Sequence, residues 1–144
     1  MTRSILVVIM LVMAGCAVTR EQNINFAPNL GQENQQRIVT DTVKKLTELY
    51  PPAKTRINIQ GARDTFGSSL LQELRNQGYQ IQEQTLNSLR DPSGLQLRYI
   101  LDQTGELYRL TIMIGTDSLS RPYTEENGVI LPTGYWMYQG KSHE

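Results

Sequence analysis

Leu95-Gln96-Leu97-Arg98-Tyr99-Ile100-Leu101-Asp102 and Tyr108-Arg109-Leu110-Thr111-Ile112-Met113-Ile114 decide the fold class of this chain. Leu95, Leu97, Tyr99 and Leu101 alternate against Gln96, Arg98 and Asp102. Tyr108, Leu110, Ile112 and Ile114 alternate against Arg109 and Thr111. A period of two is the mark of a half-buried strand. The stretch 102–105 turns the chain, so this half of the molecule is antiparallel β in character. Downstream, 119–124 reads as a weaker strand. Asn127-Gly128 then signals a hairpin, because both central residues of a type I′ turn need positive φ. The return, 129–138, is interrupted by Pro132 and Gly134 and is predicted to be bent or an edge strand.

Upstream the period changes. Val39, Val43, Leu46 and Tyr50 recur at three and four residues, which predicts a helix over 36–50. Pro51-Pro52 stops it, since proline lacks the amide donor and disfavours a helical residue before it. Residues 55–60 alternate, with Ile57 and Ile59 on one face of a short strand. A second helix is predicted over 64–77, with Asp64 as its N-cap. Phe66, Leu70, Leu71 and Leu74 form its buried stripe, and Gly78 takes the left-handed position past its end. Gly67 costs about 1 kcal/mol against alanine inside a helix, so it is expected to admit a close backbone neighbour. A strand over 79–84 follows, then a loop over 85–94. The fold class is therefore α+β, with two helices packed on a mostly antiparallel sheet.

The start of the chain reads differently. Arg3, an apolar run over 5–13 and then Ala14-Gly15-Cys16 assemble the parts of a secretory signal peptide. A cysteine directly after a small residue makes it a bacterial lipoprotein signal. Cleavage before Cys16 would leave its thiol to carry a diacylglyceryl group and its amine a further acyl chain, such as palmitate. A membrane span needs about 20 apolar residues, and 5–18 is followed closely by Arg20 and Glu21. The expected organisation is a leader over 1–15, a lipidated polar tether over 16–35, a domain over 36–140 and a tail over 141–144.

The tether is rich in Asn and Gln. Ile24, Phe26 and Leu30 are its sparse apolar residues. It reads either as a solvated spacer or as a segment that orders on a partner, with those three residues as anchors and strand addition at Ile24 and Phe26.

Composition narrows the function. Without Arg3 the processed chain has 13 basic and 14 acidic residues. It has no cationic excess to neutralise phosphates, so no direct nucleic-acid binding is expected. The one cysteine excludes an intrachain disulfide. His143 is the single histidine and sits at the tail. Asp91 and Asp102 read as turn formers rather than an acid/base pair. No Cys/His spacing suits a metal, and the glycines are too scattered to cradle phosphate. No catalytic residue, cofactor or metal is expected. The cluster Tyr135, Trp136, Met137 and Tyr138 is apolar on both strand faces. It reads either as core or as an interface, in which case Trp136 and Tyr138 are the anchors.

The chain resembles the TrbH family of conjugal transfer lipoproteins. The resemblance rests on the lipidated start, on Asp64-Thr65-Phe66-Gly67, on Leu74-Arg75-Asn76-Gln77-Gly78-Tyr79, on Leu107-Tyr108-Arg109-Leu110 and on Gly134-Tyr135-Trp136. It implies a lipid-anchored structural subunit of a plasmid-transfer type IV secretion system, in a ring with TrbG-like and TrbI-like proteins of the outer-membrane core complex. It also implies an N-terminal segment lying against the TrbG-like partner. The helix-strand-helix-strand order resembles N0-type secretion domains. Ala17, not Asp, follows Cys16, which in such systems points to the outer membrane of a Gram-negative cell, with the domain in the periplasm. The alternative is a periplasmic lipoprotein that binds a small ligand or cell-wall component, which needs a pocket with convergent polar groups.

Overall fold

In the computed structural model, which describes residues 22–85 and 92–140, the elements follow in chain order. They are β1 (Ile24–Asn25), α1 (Gln32–Leu49), a 3-10 turn (Pro52–Lys54), β2 (Arg56–Gln60), α2 (Thr65–Asn76), β3 (Gln80–Gln84), β4 (Leu95–Thr104), β5 (Leu107–Ile114), β6 (Asp117–Glu126), β7 (Val129–Pro132) and β8 (Met137–Gln139). All eight strands belong to one open sheet in the order β3-β2-β4-β5-β6-β7, with β1 beside β4 and β8 beside β6. The result is an α+β fold with two helices on a mostly antiparallel sheet. Residues 1–21, which contain the leader and Cys16, lie outside the described residues, as do Asp91 and His143.

The alternating stretch forms the middle of the sheet. β4 and β5 pair antiparallel with Tyr99 opposite Ile112 and Leu101 opposite Leu110. β6 continues the row, setting Leu119 against Ile112. Leu97, Tyr99, Leu101, Leu110, Ile112, Ile114, Leu119 and Tyr123 are all buried on that shared face. Burying each such side chain contributes roughly 1.5–3 kcal/mol. The other face carries Arg98, Asp102, Arg109, Thr111 and Ser118, none of them buried. Among the described residues the sheet is thus covered on one side only, as its alternation requires. β4 runs on to Thr104, past the predicted turn start, because Asp102 is held opposite Arg109 by bonds of 3.2 and 2.9 Å.

Both helices cover the apolar face. On α2, Phe66, Leu70, Leu71 and Leu74 are buried. Asp64 caps it as predicted, accepting from the Gly67 N–H at 2.8 Å, and Gly78 has φ 90°. Gly67 is tight for a different reason from the expected one. A β-carbon there would collide with the Tyr99 phenol, a side chain and not a neighbouring backbone. Phe66 meets the same ring edge to face, with centroids 5.1 Å apart. α1 buries Ile38, Val39, Val43 and Leu46 and ends before Pro51.

α1 begins at Gln32, earlier than its apolar stripe predicts. Polar side chains hold the added turn. Gln35 Nε2 donates to the Leu30 carbonyl at 2.6 Å, and Asn34 bonds to the β6–β7 hairpin. That hairpin turns at Asn127 and Gly128, with φ of 52° and 79°, as the Asn-Gly signal requires.

Parallel pairing was not apparent from the sequence. β2 lies parallel to both β3 and β4, and β1 is parallel to β4. Residues 23–30, read as part of a polar tether, belong to this fold. Ile24 and Asn25 pair with Ile100 and Leu101, and Ala27 and Leu30 are buried. The C-terminal return splits in two. β7 pairs with the far half of β6, and β8 with its near half. Between them, 133–136 pass beside Arg121 and Pro122, with the Thr133 N–H donating to the Pro122 carbonyl at 3.1 Å and the Gly134 carbonyl accepting from Arg121.

Candidate interaction surface

Two edges of the sheet carry the residues that sequence reasoning offered as partner contacts. At the first, β4 has two neighbours on one side. β2 runs beside Leu95–Leu97 and then leaves toward α2, and β1 takes its place beside Ile100 and Leu101. Asn23 occupies the fork. Its Nδ2 donates to the Gln60 carbonyl at 3.2 Å, and its Oδ1 accepts from the Tyr99 N–H at 3.1 Å. One amide side chain therefore joins the incoming strand to both others. Asn25 Oδ1 then accepts from the Ala27 N–H at 2.9 Å, which turns the chain toward α1.

The three apolar residues of this segment have different fates. Leu30 is 3 % exposed and packs into the core. Ile24 is half-buried opposite Ile100. Phe26 donates its N–H to the Leu101 carbonyl at 2.8 Å and leaves its ring 63 % exposed.

The second edge holds the aromatic cluster. Arg121 on β6 shares the core-facing side with Leu119 and Tyr123. Its Nη1 contacts Asp41 of α1, and its Nε donates to the Gly134 carbonyl at 2.8 Å. The guanidinium lies 5.8 Å from the Trp136 ring centroid. Trp136 is accordingly half-buried against the domain's own core. Tyr138 sits opposite Leu119, and its hydroxyl joins Tyr50 and Asp117 in one hydrogen-bonded cluster. Tyr135 and Met137 point the other way and are 90 % and 60 % exposed. The predicted alternation holds, and the pair with the most open surface is Tyr135 and Met137.

Carboxylates organise the phenols of both edges. Tyr50 donates to Asp117, Tyr99 to Asp64 and Tyr123 to Asp41, at 2.5, 2.8 and 2.7 Å. Burial first, and then these bonds, push all three phenols well above their ordinary value of 10. The Arg121–Asp41–Tyr123 group was missed from sequence. Its readable signal was phase: a charged residue between Leu119 and Tyr123 on a core face needs a partner.

The two edges stay apart. β1, β4, β5, β6 and β8 are successive neighbours, which places Phe26 roughly 19 Å from Tyr138 at ordinary strand spacing. The outermost strand β7 is shielded. Asn34 accepts from the Ile130 N–H at 3.0 Å and donates to the Gly128 carbonyl at 3.0 Å, and Pro132 has no N–H to offer. Among the described residues no three His, Cys, Asp or Glu side chains gather to hold a metal ion. No helix among them is long and apolar enough to cross a membrane.

A family model described as "Conjugal transfer protein TrbH" matches residues 18–140. No curated protein and no solved structure matches the chain.

Proposed function

Because the chain belongs to the TrbH family of conjugal transfer proteins, we propose that it is a lipid-anchored structural subunit of a plasmid-conjugation type IV secretion system. In this reading it helps assemble the outer-membrane core complex with TrbG-like and TrbI-like proteins. The observation that carries the proposal is the extent of the match. The family-wide part begins at Val18, two residues after Cys16, and runs to Gly140. The matched stretch contains every described residue of the fold.

The mechanism is confinement. A lipid on Cys16 restricts the domain to a thin layer at the membrane and raises its effective concentration for partners in the same layer. Several acyl chains hold far longer than one, at about 0.8 kcal/mol for each buried methylene. Tyr138 on the edge opposite Phe26, with Tyr135 and Met137 beside it, then offers apolar contact area to those partners. Trp136 braces that surface from within, and Ile24 and Leu30 brace the Phe26 edge.

The test is Cys16→Ser in cells carrying the transfer system. Acyl labelling is expected to disappear, the subunit to be lost from detergent-purified core complexes, and DNA transfer to fall. Full occupancy together with normal transfer would refute the proposal.

A further inference from the structure

We infer that the domain lies directly against the bilayer, with the β1 edge toward the lipid headgroups, and does not stand off on a long spacer. The inference rests on the Cys16 lipidation proposed above. Its own ground is where the fixed part of the chain begins. Asn23 is joined to both Gln60 and Tyr99, and Ile24, Asn25 and Phe26 continue the attachment along β4. Only seven peptide steps separate Cys16 from Asn23. Whatever conformation they adopt, they span at most about 25 Å. A domain of this size is roughly 35 Å across. The anchor is therefore shorter than the body it holds, and the edge carrying Asn23 cannot be the part of the domain farthest from the membrane.

The side chains at that edge suit a headgroup layer. Phe26 leaves its ring exposed beside the anchored segment. Arg63, also exposed, lines one surface indentation together with Gln22, Asn23, Gln60 and the Asp64 that caps α2. An aromatic ring and a cation beside an acyl anchor are the groups that enter the boundary between headgroups and acyl chains.

Trp136 is the single tryptophan and lies at the opposite edge, so it serves as a native far-side reporter. The acylated full-length chain is reconstituted in phosphatidylethanolamine/phosphatidylglycerol vesicles containing brominated lipid. A second protein carries Phe26→Trp with Trp136→Phe, after circular dichroism confirms its fold. Tryptophan at position 26 is expected to be quenched about twofold, and Trp136 by less than about a fifth. A 30-residue Gly/Ser insertion after Val18 is expected to at least halve the quenching at position 26. A nitroxide on Arg63→Cys repeats the measurement with Phe26 intact, read as lipid-phase relaxation. Equal quenching at both edges, or none at position 26 in protein whose acylation is confirmed by mass, overturns the inference. A mature chain without acyl mass overturns the lipidation reading itself, so the two failures are distinguishable.

Discussion

The Asp41 carboxylate straddles Nη1 of Arg121, which donates to both oxygens at 2.8 Å. The bond ties β6 to α1 across 80 residues of sequence. Tyr123 donates to the same carboxylate from the same strand. Both side chains of the ion pair are mostly shielded, at 20 % and 27 % exposure, so the pair is neither a screened surface contact nor a fully desolvated one.

Asp41→Ala leaves a guanidinium and a phenol without their acceptor. A loss of about 2 kcal/mol is expected, between the values for surface and fully buried pairs. Tyr123→Phe removes one hydrogen bond and is expected to cost about 1 kcal/mol. Urea unfolding measures both. A loss under about 0.5 kcal/mol for Asp41→Ala would mean that packing alone holds α1 to β6.

Gly67→Ala should destabilise despite alanine's better helix propensity. The propensity gain is about 1 kcal/mol, but the new methyl meets the Tyr99 hydroxyl and, at 3.3 Å, the ring carbon bearing it. Overpacking of this kind costs about 1–3 kcal/mol. In a Tyr99→Phe background the hydroxyl is gone, and Gly67→Ala is expected to be closer to neutral. A double-mutant cycle with no coupling would show that the helix simply shifts to make room.

Alkaline pH should unfold the domain through its phenols. Tyr50, Tyr99 and Tyr123 have raised values, and burial pushes Tyr79 up to about 12. In the unfolded chain these phenols ionise near pH 10, so above that pH the unfolded state binds fewer protons than the folded one. Their contribution is complete below pH 10 and is lost as pH rises through 12 and beyond. Thermal melts from pH 9 to 12 should show a falling midpoint. Phenolate absorbance should rise together with the loss of ellipticity; phenolate appearing well before unfolding would contradict this account.

Asn34→Ala removes the side chain that shields β7. It leaves the Ile130 N–H and the Gly128 carbonyl without their partner. The expected cost is about 1–3 kcal/mol, with a second effect at the sheet edge. An uncovered strand edge is a template for another chain, so concentration-dependent association should rise. Light scattering against protein concentration tests it, and Asn34→Asp, which keeps an acceptor for Ile130, should associate less than Asn34→Ala.

Local signals were legible because local chemistry produces them. Asp64 and Gly78 bracketed α2, Pro51-Pro52 ended α1, and Asn127-Gly128 placed the hairpin. The alternation over 95–114 named the buried face residue by residue. Parallel pairing was not legible, since β2 and β4 meet through distant backbone and no turn residue marks the contact. The extra turn of α1 was hidden because Asn34 and Gln35 are buried polar residues recruited by backbone groups elsewhere. In the candidate surfaces, the alternation of 135–138 was readable, but which pair faced outward depended on Arg121, a residue on another strand. The role of Asn23 was beyond reach for the same reason: both of its partners are backbone groups of other strands.

The attachment of β1 also sets an order of events. Asn23 bonds to Tyr99, 76 residues later in the chain. A polypeptide emerges from its N-terminus, so when 23–26 appears its docking edge does not yet exist. That segment waits, unpaired, until β4 has been laid down against β2. The first part of the domain to be made is thus fixed only once β4 exists, and a chain cut short before Tyr99 would leave its own beginning loose.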